Sequence, residues 1–589
     1  MALAKADAVD RIDQARQQQL AGNPAWLDLL HMHRGTVTGV VSSEVDDDDF
    51  FLAATGKTDS QAEMDSTIRH FMDDASVACR FPARWQWLSQ FLNLGDRAEC
   101  AELDQWKQKL SAQQITLLFP SMYLQNPASM FGHTFLRFDQ HLRSPLLAYT
   151  LSYAARPDKT DNVLSYVYKG VLGGYPGVFA VQPYYQTVTD YGDIEHRDIW
   201  EYSLNLSANE IDQLLNHAWE LRDKKIDYFF LRENCSYQLL TLLNVARPGL
   251  DLTRKQFPMY AIPVDTVRSV QAAGLIDKAV YRPARASRVE KMFGQLNTEL
   301  QTEALSCARD SECLSKPCLA CAADDKHQTN NHARVLELAA EIQQLNNRDA
   351  AHMLLQRSQL DAAAGWLPFT NDDPADGHAS ARWLVAAGKY EHRKYVELGL
   401  RPALHDWLDN DAGLIEGAAL EALSARVRYY NDEDRLQLQQ LTIFSMQSYS
   451  PVTPWATPVS SEMRIGMNRV NNNKVYFAAG GLGLSAKKYG WHYFALADAA
   501  IEVMPIRQQS EALYVGAHAG VRTEAFSGQL LLQAKWQTSA AGYEETRREF
   551  NAGYQWNISS DYAVRVEYSL RSRDDIDERD AQIGLHGYF

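Results

Sequence analysis

Residues 564–571 read Val-Arg-Val-Glu-Tyr-Ser-Leu-Arg, an alternation in which every second side chain is apolar. Successive side chains of a β-strand point to opposite faces of a sheet, so this run predicts a strand with one apolar and one polar face. The same pattern recurs around Met463 and Val515, and turn-forming clusters such as residues 471–473 separate the runs. From about residue 378 onward, the sequence therefore predicts an antiparallel β-structure.

Twelve such segments can be placed in this region. They begin near residues 381, 393, 415, 434, 459, 474, 491, 511, 529, 543, 560 and 577. Each is about 9–14 residues long, enough to cross an outer membrane at a tilt, and an even number of strands can close without an exposed edge. The last nine residues, Ala-Gln-Ile-Gly-Leu-His-Gly-Tyr-Phe, resemble the closing strand of bacterial outer-membrane barrels. We expect a transmembrane β-barrel at residues 378–589, with a soluble β-sandwich as the alternative.

Composition limits the remaining possibilities. A chain of 589 residues is long enough for several domains, and its formal charge of −16 argues against nucleic acid as a partner. No stretch approaches the roughly 18 consecutive apolar residues of a membrane helix. The N-terminus lacks the hydrophobic core of a signal peptide. Because the other features require export, we interpret Met1 as an added start on a mature, exported protein.

Cysteine usage favours an oxidising compartment. The seven cysteines are Cys79, Cys100, Cys235, Cys307, Cys313, Cys318 and Cys321. Six of them can form three disulfides, one of which would join Cys79 to Cys100. The last four allow three pairings, and a four-cysteine zinc site is the alternative for them. Cys235 is left over, and an unpaired cysteine in an exported protein favours a reactive role.

The chain upstream of the barrel reads as three parts, which makes the whole protein α+β. Residues 1–110 are predicted to be helical, residues 111–265 to mix strands and helices, and residues 266–377 to form a helical connector containing the cysteine cluster. Strands are predicted at 115–119, 134–138, 146–153 and 199–204, helices at 287–300 and 332–345, a capping box at 207–210, and a glycine-rich loop beside a site at 170–177.

Two short motifs carry the candidate chemistry. Residues 126–133 read Asn-Pro-Ala-Ser-Met-Phe-Gly-His and lead into a strand, and residues 232–237 read Arg-Glu-Asn-Cys-Ser-Tyr and open a helix. The helix dipole and free N–H groups of a first turn favour a thiolate at Cys235. With His133 at a strand start, this gives the two halves of a thiol nucleophile and its base. A packed cysteine and a structural histidine are the alternative interpretation.

Both motifs resemble the Lnb N-terminal periplasmic domain family, which is named for a bacterial lipoprotein N-acyltransferase. The resemblance covers roughly residues 115–265, and the histidine-then-cysteine order is also similar to circularly permuted papain-like enzymes of the NlpC and lecithin–retinol acyltransferase kind. It implies that Cys235 is the nucleophile and His133 the base. The group that orients the imidazole should lie on the next strand, where Ser152 is the candidate, and the Cys235 backbone N–H is the candidate oxyanion donor.

Further residues are expected to bind substrate or to support the site. They are Asn126, Ser129, Tyr175, Arg232, Glu233 and Asn234. The chemistry requires no metal and no organic cofactor. His141, His196 and His217 lack metal-ligand spacing.

The resemblance implies a thiol acyltransferase or hydrolase of the outer membrane, with its N-terminal domains in the periplasm. Outer-membrane lipids are the expected partners, together with lipoproteins or peptidoglycan. A peptidoglycan amidase, a non-catalytic envelope scaffold and a gated conduit are the alternatives.

Overall fold

The protein is represented by a computed structural model. It describes residues 2–34, 39–122, 124, 130, 132–140, 144–158, 160–253, 255–258, 260–310, 325–362, 365–470, 473–505, 511–542, 544–573 and 576–589. The chain divides into two compact units, Met1–Ala284 and Arg285–Phe589. None of the described helices combines the length and the apolar character needed to cross a membrane.

The first unit begins with the predicted helical region. Its helices are α1 (Ala2–Gln17), α2 (Pro24–Leu29), α3 (Ser60–Asp73), α4 (Val77–Arg80), α5 (Pro82–Leu88) and α6 (Ala101–Leu110), and its short antiparallel strands are β1 (Met32–Arg34) and β2 (Val41–Ser43). Asn23 caps α2 by accepting the Ala25 N–H, as this residue type does at helix starts. Trp26 and Trp87 stack in the core of this region. The predicted disulfide between Cys79 and Cys100 is confirmed.

One antiparallel sheet of seven strands forms the middle of this unit, in the order β8-β6-β5-β4-β3-β7-β9. The strands are β3 (Gln114–Pro120), β4 (Phe135–Asp139), β5 (Tyr149–Ala155), β6 (Tyr175–Pro183), β7 (Ile199–Leu204), β8 (Ile226–Tyr228) and β9 (Ile276–Arg282). The four predicted strands are confirmed as β3, β4, β5 and β7, with β5 starting three residues later than predicted. Because β9 pairs with β7, the sheet extends beyond residue 265, where the domain is predicted to end.

Five helices accompany the sheet. They are α7 (Val163–Leu172), α8 (Tyr184–Thr187), α9 (Ala208–Glu220), α10 (Cys235–Ala246) and α11 (Pro263–Ala272). The predicted capping box is confirmed at the start of α9, where Ser207 and Glu210 bind each other's backbone N–H. Every residue of α10 is buried, and this helix packs against β4, β5 and α9. The helix that carries Cys235 is therefore central to the unit.

The glycine-rich run at residues 170–177 is not the predicted loop. Its first residues end α7 and its last residues begin β6. Gly173 ends the helix with a φ of +78°, a conformation that favours glycine. A Cβ on Gly170 would lie 2.2 Å from the ring of Phe230. Helix termination and close packing explain these glycines.

Four helices open the second unit: α12 (Arg285–Gly294), α13 (Thr298–Arg309), α14 (Asp325–Leu345) and α15 (Ala351–Ser358). The predicted single helix over 287–300 is instead two helices, because the side chain of Asn297 accepts the Leu300 N–H and starts α13. The helix predicted over 332–345 is confirmed as the second part of α14.

Of the predicted cysteine cluster, the structure describes Cys307 on α13. Cys307 is disulfide-bonded, as expected in an oxidising compartment. Cys313, Cys318 and Cys321 lie outside the described residues.

The rest of the second unit is a closed β-barrel. Its strands are β10 (Arg382–Tyr390), β11 (Arg393–Arg401), β12 (Ala403–His405), β13 (Ala418–Tyr430), β14 (Arg435–Ser448), β15 (Ser460–Val470), β16 (Asn473–Lys488), β17 (Trp491–Val503), β18 (Glu511–Ala525), β19 (Gly528–Gly542), β20 (Thr546–Asn557), β21 (Tyr562–Arg573) and β22 (Ile576–Tyr588). The β10–β22 and β11–β13 pairings close a ring of twelve strands, and the short β12 is an addition beside β13. Each of the twelve begins within three residues of its predicted start. One closed sheet excludes the β-sandwich alternative.

Alternation places charged side chains inside this barrel and apolar ones outside. On β21, Arg565 is 2% exposed whereas its neighbour Val566 is 48% exposed. On β18 and β19, His518 and Lys535 are likewise inward, while Trp536 is outward. An apolar exterior with a polar interior is the pattern of a membrane barrel, so the predicted lumen face is confirmed.

The connection from β12 to β13 folds into the lumen, and we call its residues 406–409 the plug. Asp406 and Asp409 each pair with the same three guanidinium groups, at 2.6–3.3 Å. Those groups belong to Arg382, Arg401 and Arg565. The charges of the plug are therefore neutralised by arginines on β10, β11 and β21, which lie within one run of four neighbouring strands.

Aromatic packing also holds the plug. The ring of Trp407 lies 4.7 Å from that of Tyr449 and 5.3 Å from that of Phe494. A cavity of about 370 Å³ remains beside the plug, with Asp406, Trp407 and Leu408 in one wall. This arrangement is that of a plugged barrel.

Candidate active site

Cys235 is the first residue of α10, and its thiol is free. The other described cysteines, Cys79, Cys100 and Cys307, are disulfide-bonded. The prediction that Cys235 is the unpaired cysteine is therefore confirmed for the described chain. The residue is only 2% exposed.

Asn234 fixes the start of α10. Its side-chain oxygen accepts the N–H groups of Ser236 and Tyr237, at 3.1 and 3.2 Å. Its amide nitrogen donates to the carbonyls of Phe230 and Ala261, at 3.2 and 2.6 Å. This amide, predicted to bind substrate, is thus engaged within the protein and positions the residue that follows it. The N–H of Cys235 is not among the groups that it caps.

His133 reaches the site through its neighbour Thr134. The Thr134 backbone N–H donates a hydrogen bond to the Cys235 sulfur, so the strand start and the helix start meet at this point. The turn before His133 depends on Gly132, which has a φ of +99°. A Cβ on this glycine would lie 2.9 Å from the ring of Phe119. The glycine before His133 is therefore required sterically, because another residue at this position would strain the turn that leads to the strand start beside Cys235.

Aromatic rings hold the His133 imidazole. It stacks on Tyr191, with ring centroids 5.9 Å apart, and meets the edge of Phe135 at 4.6 Å. Its Nδ1 atom is buried and has no hydrogen-bond partner among the described residues. Ring contacts, rather than a polar partner on Nδ1, set the orientation of this imidazole.

Ser152 lies on β5, the strand next to the one that His133 precedes, and is buried. The register that pairs Leu136 with Leu151, continued by one residue, places Ser152 beside Phe135 and two positions from His133. The sheet brings the predicted residue close to the imidazole. Its orienting role stays a prediction, since Nδ1 of His133 lacks a partner in the described chain.

The His133 and Cys235 side chains are both uncharged at neutral pH. Burial, followed by the nearby Arg197 guanidinium, lowers the pKa of His133 to about 3. Burial raises the pKa of the Cys235 thiol, against hydrogen bonds from Ser236, Thr134 and Tyr228 that favour the thiolate. This differs from the thiolate predicted from the helix start, because loss of hydration outweighs the helix terminus in so buried a site.

Tyr228 lies beside the thiol, and the sequence motifs do not indicate it. Its hydroxyl interacts with both the Cys235 sulfur and the Cys235 backbone N–H, and burial raises the pKa of Tyr228 well above its usual value, so the hydroxyl stays protonated. The ring stacks on Tyr153, whose hydroxyl donates to the Ile226 carbonyl. Tyr228 comes to the site by pairing with Tyr175 between β8 and β6, a long-range contact without a local sequence signal.

Arg232 and Glu233, both predicted to bind substrate, form an ion pair of 2.8 Å just before α10. The arginine side chain is exposed and the glutamate side chain is mostly buried. Glu233 also lies beside His33 and Glu44, where three potential metal-ligating atoms come within 4.8 Å of one another.

The remaining predicted substrate-binding residues are placed as follows. Tyr175 is buried at the start of β6, and its hydroxyl donates to Asp161 at 2.6 Å. Asn126 and Ser129 lie outside the described residues. Their proposed contacts with substrate stay predictions.

These features define a class of protein in which a thiol-bearing α+β domain is joined to a twelve-stranded membrane barrel. At the start of α10 this class has a free, buried thiol with hydrogen-bond donors beside it.

Residues 102–273 match the family model described as the Lnb N-terminal periplasmic domain. Residues 18–91 and 371–588 match two domains of unknown function, DUF7843 and DUF7840. No curated protein sequence matches the chain.

Several solved barrels are similar to the second unit. The NanC porin in a rhombohedral crystal form is 13% identical over 35% of this chain and 99% of its own, with a TM-score of 0.25. An anion-selective porin from Comamonas acidovorans is 8% identical over 36% and 99%, with a TM-score of 0.20. OmpT of Vibrio cholerae is 8% identical over 36% and 96%, with a TM-score of 0.20. With TM-scores this low, these likenesses do not bear on the function of the chain.

Location follows from the domain family and from the barrel itself. A periplasmic domain family at residues 102–273 and a closed barrel with an apolar exterior place the protein in the bacterial outer membrane. The N-terminal domains lie in the periplasm, where the Cys79–Cys100 disulfide is stable.

Proposed function

We propose that the protein is an outer-membrane-anchored thiol enzyme that forms an acyl-thioester on Cys235, using acyl groups of lipids or lipoproteins. The observation that carries the proposal is the free, buried Cys235 thiol at a helix start, bound by the N–H of the residue that follows His133. A structural cysteine would need neither a histidine at this point nor donors directed at its sulfur.

The chemistry requires only groups that the chain provides. As the Cys235 sulfur attacks an ester carbonyl carbon, its proton passes to His133 and a carbon–sulfur bond forms. The carbonyl oxygen becomes negative and accepts the Cys235 N–H at the helix start. The carbon–oxygen bond then breaks, and the alcohol leaves with the proton from His133. In a second cycle an amine or water takes the acyl group and restores the thiol.

The low pKa of His133 is compatible with this role. In the resting site the imidazole is neutral and is therefore able to accept a proton. Once the sulfur starts to lose its proton, the two developing charges stabilise each other in a site that water hardly enters. The donors from Thr134 and Tyr228 further stabilise the thiolate.

An exposed apolar surface supports a lipid substrate. On α7, the side chains of Tyr168, Val171 and Leu172 are 69%, 45% and 58% exposed. The Gly170 carbonyl of the same helix accepts the N–H of Phe230, which lies in the segment that leads to α10. Clustered exposed apolar residues mark surfaces that meet lipid or another apolar partner. A peptidoglycan amide would gain little from such a surface.

The test is the intact mass of the purified protein after incubation with vesicles of outer-membrane phospholipids. We expect a fatty-acyl adduct on the wild type that neutral hydroxylamine removes, since thioesters are cleaved under these conditions and ordinary esters are not. Cys235→Ser should lack the hydroxylamine-sensitive adduct. The melting temperature of both forms serves as the folding control.

The alternatives predict different outcomes. A peptidoglycan amidase would give a Cys235-dependent product in digests of purified peptidoglycan and no lipid adduct. A scaffold would give neither, and its cellular phenotype would survive Cys235→Ser. Either result would contradict the lipid acyltransferase or hydrolase proposed here.

A further inference from the structure

We propose that His33, Glu44 and Glu233 bind a divalent transition-metal ion immediately before the helix that carries Cys235. The three residues come from separate parts of the first unit. His33 lies on β1, Glu44 directly follows β2, and Glu233 lies two residues before Cys235. An ion held by all three would join the N-terminal hairpin to the start of α10.

The spacing of the ligand atoms fits an ion of this kind. One nitrogen of His33 and one carboxylate oxygen from each glutamate all lie within 4.8 Å of one another. The Nδ1 atom of His33 and Oε1 of Glu44 are already 3.3 Å apart. A tetrahedral zinc ion with bonds of about 2.0–2.1 Å holds its ligand atoms about 3.4 Å apart. Small side-chain rotations would therefore complete the site.

Charge at this point also favours a cation. Two carboxylates so close together repel each other unless a positive charge lies between them. Glu233 pairs with Arg232, but that arginine side chain is 56% exposed and the pair is correspondingly weak. Glu44 is nearly buried, lies 3.3 Å from His33 and accepts hydrogen bonds from the Tyr237 hydroxyl and the Gln238 amide.

An independent observation is the state of Gln238. This residue is fully buried, and its amide nitrogen donates to Glu44 at 3.0 Å. The oxygen of the same amide is buried without a hydrogen-bond partner among the described residues. A buried amide oxygen normally has a partner. At this position, a metal ion or a water bound to it would supply one.

The free space beside these ligands is small. A cavity of about 10 Å³ is lined by His33, Glu44 and Tyr237, among other residues, whereas Glu233 is not one of its lining residues. Such a volume admits about one water-sized sphere and no organic ligand. An imidazole ligand favours zinc and its neighbours in the first transition row over magnesium and calcium. The inferred ligand is therefore a zinc-like ion, and zinc is the probe for the test.

The experiment uses the full chain purified in detergent without a histidine tag and stripped with a chelator. Zinc is added, excess is removed by desalting, and the bound metal is counted by mass spectrometry, with the affinity measured by calorimetry. We expect about one zinc per chain and a higher melting temperature with zinc. His33→Ala and Glu233→Gln should each weaken binding at least about tenfold and abolish the rise in melting temperature.

Two controls separate this site from other zinc ligands. His352→Ala removes an exposed histidine on α15 and should leave zinc binding unchanged. Cys235→Ala should also keep the ion, because the thiol is not one of the proposed ligands. Equal zinc content in His33→Ala and the wild type would overturn the proposal, as would loss of zinc in Cys235→Ala alone. None of these measurements depends on acyl-transfer activity.

Discussion

Two buried parts of the molecule treat ionisable side chains in opposite ways. At the start of α10, Cys235 and His133 are buried and uncharged at neutral pH. In the plug, Asp406 and Asp409 are buried and each is paired with three arginines. Burial of an isolated charge is costly, so a protein either removes the charge or neutralises it. The first solution leaves groups able to react, whereas the second leaves groups that hold the structure together.

The largest expected effect is the loss of a charge from the plug. Asp409→Ala leaves three guanidinium groups in the barrel facing a single carboxylate. Breaking a buried ion pair by removing one partner costs about 3–5 kcal/mol. The free energy of unfolding of the barrel, measured by urea titration in lipid vesicles, should fall by about this amount.

A matched variant shows whether charge balance is the cause. Asp432→Ala removes an exposed aspartate from the turn between β13 and β14 and should change stability by less than about 0.5 kcal/mol. Adding Arg382→Leu to Asp409→Ala removes one unpaired positive charge and should recover part of the loss. Equal effects of Asp409→Ala and Asp432→Ala would show that the plug does not depend on its ion pairs.

At the thiol site, the corresponding change should affect the rate and spare the fold. His133→Gln removes the proposed base, and general-base catalysis contributes about a hundredfold or more. The rate of acyl-adduct formation should fall by at least that factor, about 3 kcal/mol in the activation barrier. The measurement is the time course of adduct mass on Cys235.

His217→Gln serves as the control for loss of a buried imidazole. His217 lies on α9, where it contacts His31 and Glu220, and is not directed at the thiol. Its replacement should lower stability without slowing acylation of the folded protein. If the two histidine variants acylate at the same rate, His133 is not the base.

The barrel and its plug could not be predicted equally well from the sequence. The barrel repeats one local rule, the alternation of apolar and polar residues, so all twelve strand starts could be predicted within three residues. The plug could not be predicted, because nothing local in residues 406–409 indicates that they fold back into the lumen. The loop prediction for residues 170–177 was wrong for a related reason. Its glycines allow close contacts with residues distant in sequence, such as Phe230.

The thiol site shows the same limit. Cys235 and His133 could be identified from short motifs and cysteine pairing. The donors from Thr134 and Tyr228 could not, since they depend on which strand lies beside α10 and on the pairing of β8 with β6. The direction of the Cys235 pKa was also missed, because burial is a property of the whole packed unit rather than of a helix start.

Because the buried His133 imidazole is neutral, the first unit should lose folding stability in acid. The pKa of His133 falls from an ordinary 6.5 to about 3 on folding. Between these values the unfolded chain binds a proton that the folded chain does not, so stability decreases as the pH falls through this window, by about 1.4 kcal/mol per unit. At pH 5 the first unit should therefore lose about 2 kcal/mol relative to pH 7.5 from this group.

The measurement is the difference in urea unfolding between the wild type and His133→Gln at the two pH values. Glutamine does not titrate, so the variant should lose less stability in acid than the wild type does. If the two proteins lose equal stability between the two pH values, His133 is solvated in the folded state. The difference between this site and the plug would then be smaller than the burial of His133 implies.

The smallest expected effect concerns the donor that supports the sulfur. Tyr228→Phe removes the hydroxyl that binds the Cys235 sulfur and keeps the ring stacked on Tyr153. A single hydrogen bond of this kind is worth about 1 kcal/mol, so adduct formation should slow about fivefold. Tyr185→Phe, at an exposed position on α8, is the control and should react as the wild type does. In the proposed mechanism the thiol acquires its charge during the reaction, so a donor placed on the sulfur acts by stabilising that charge. An unchanged rate in Tyr228→Phe would mean that Thr134 alone supports the thiolate. The Tyr228 hydroxyl would then not stabilise negative charge on the sulfur, despite its position.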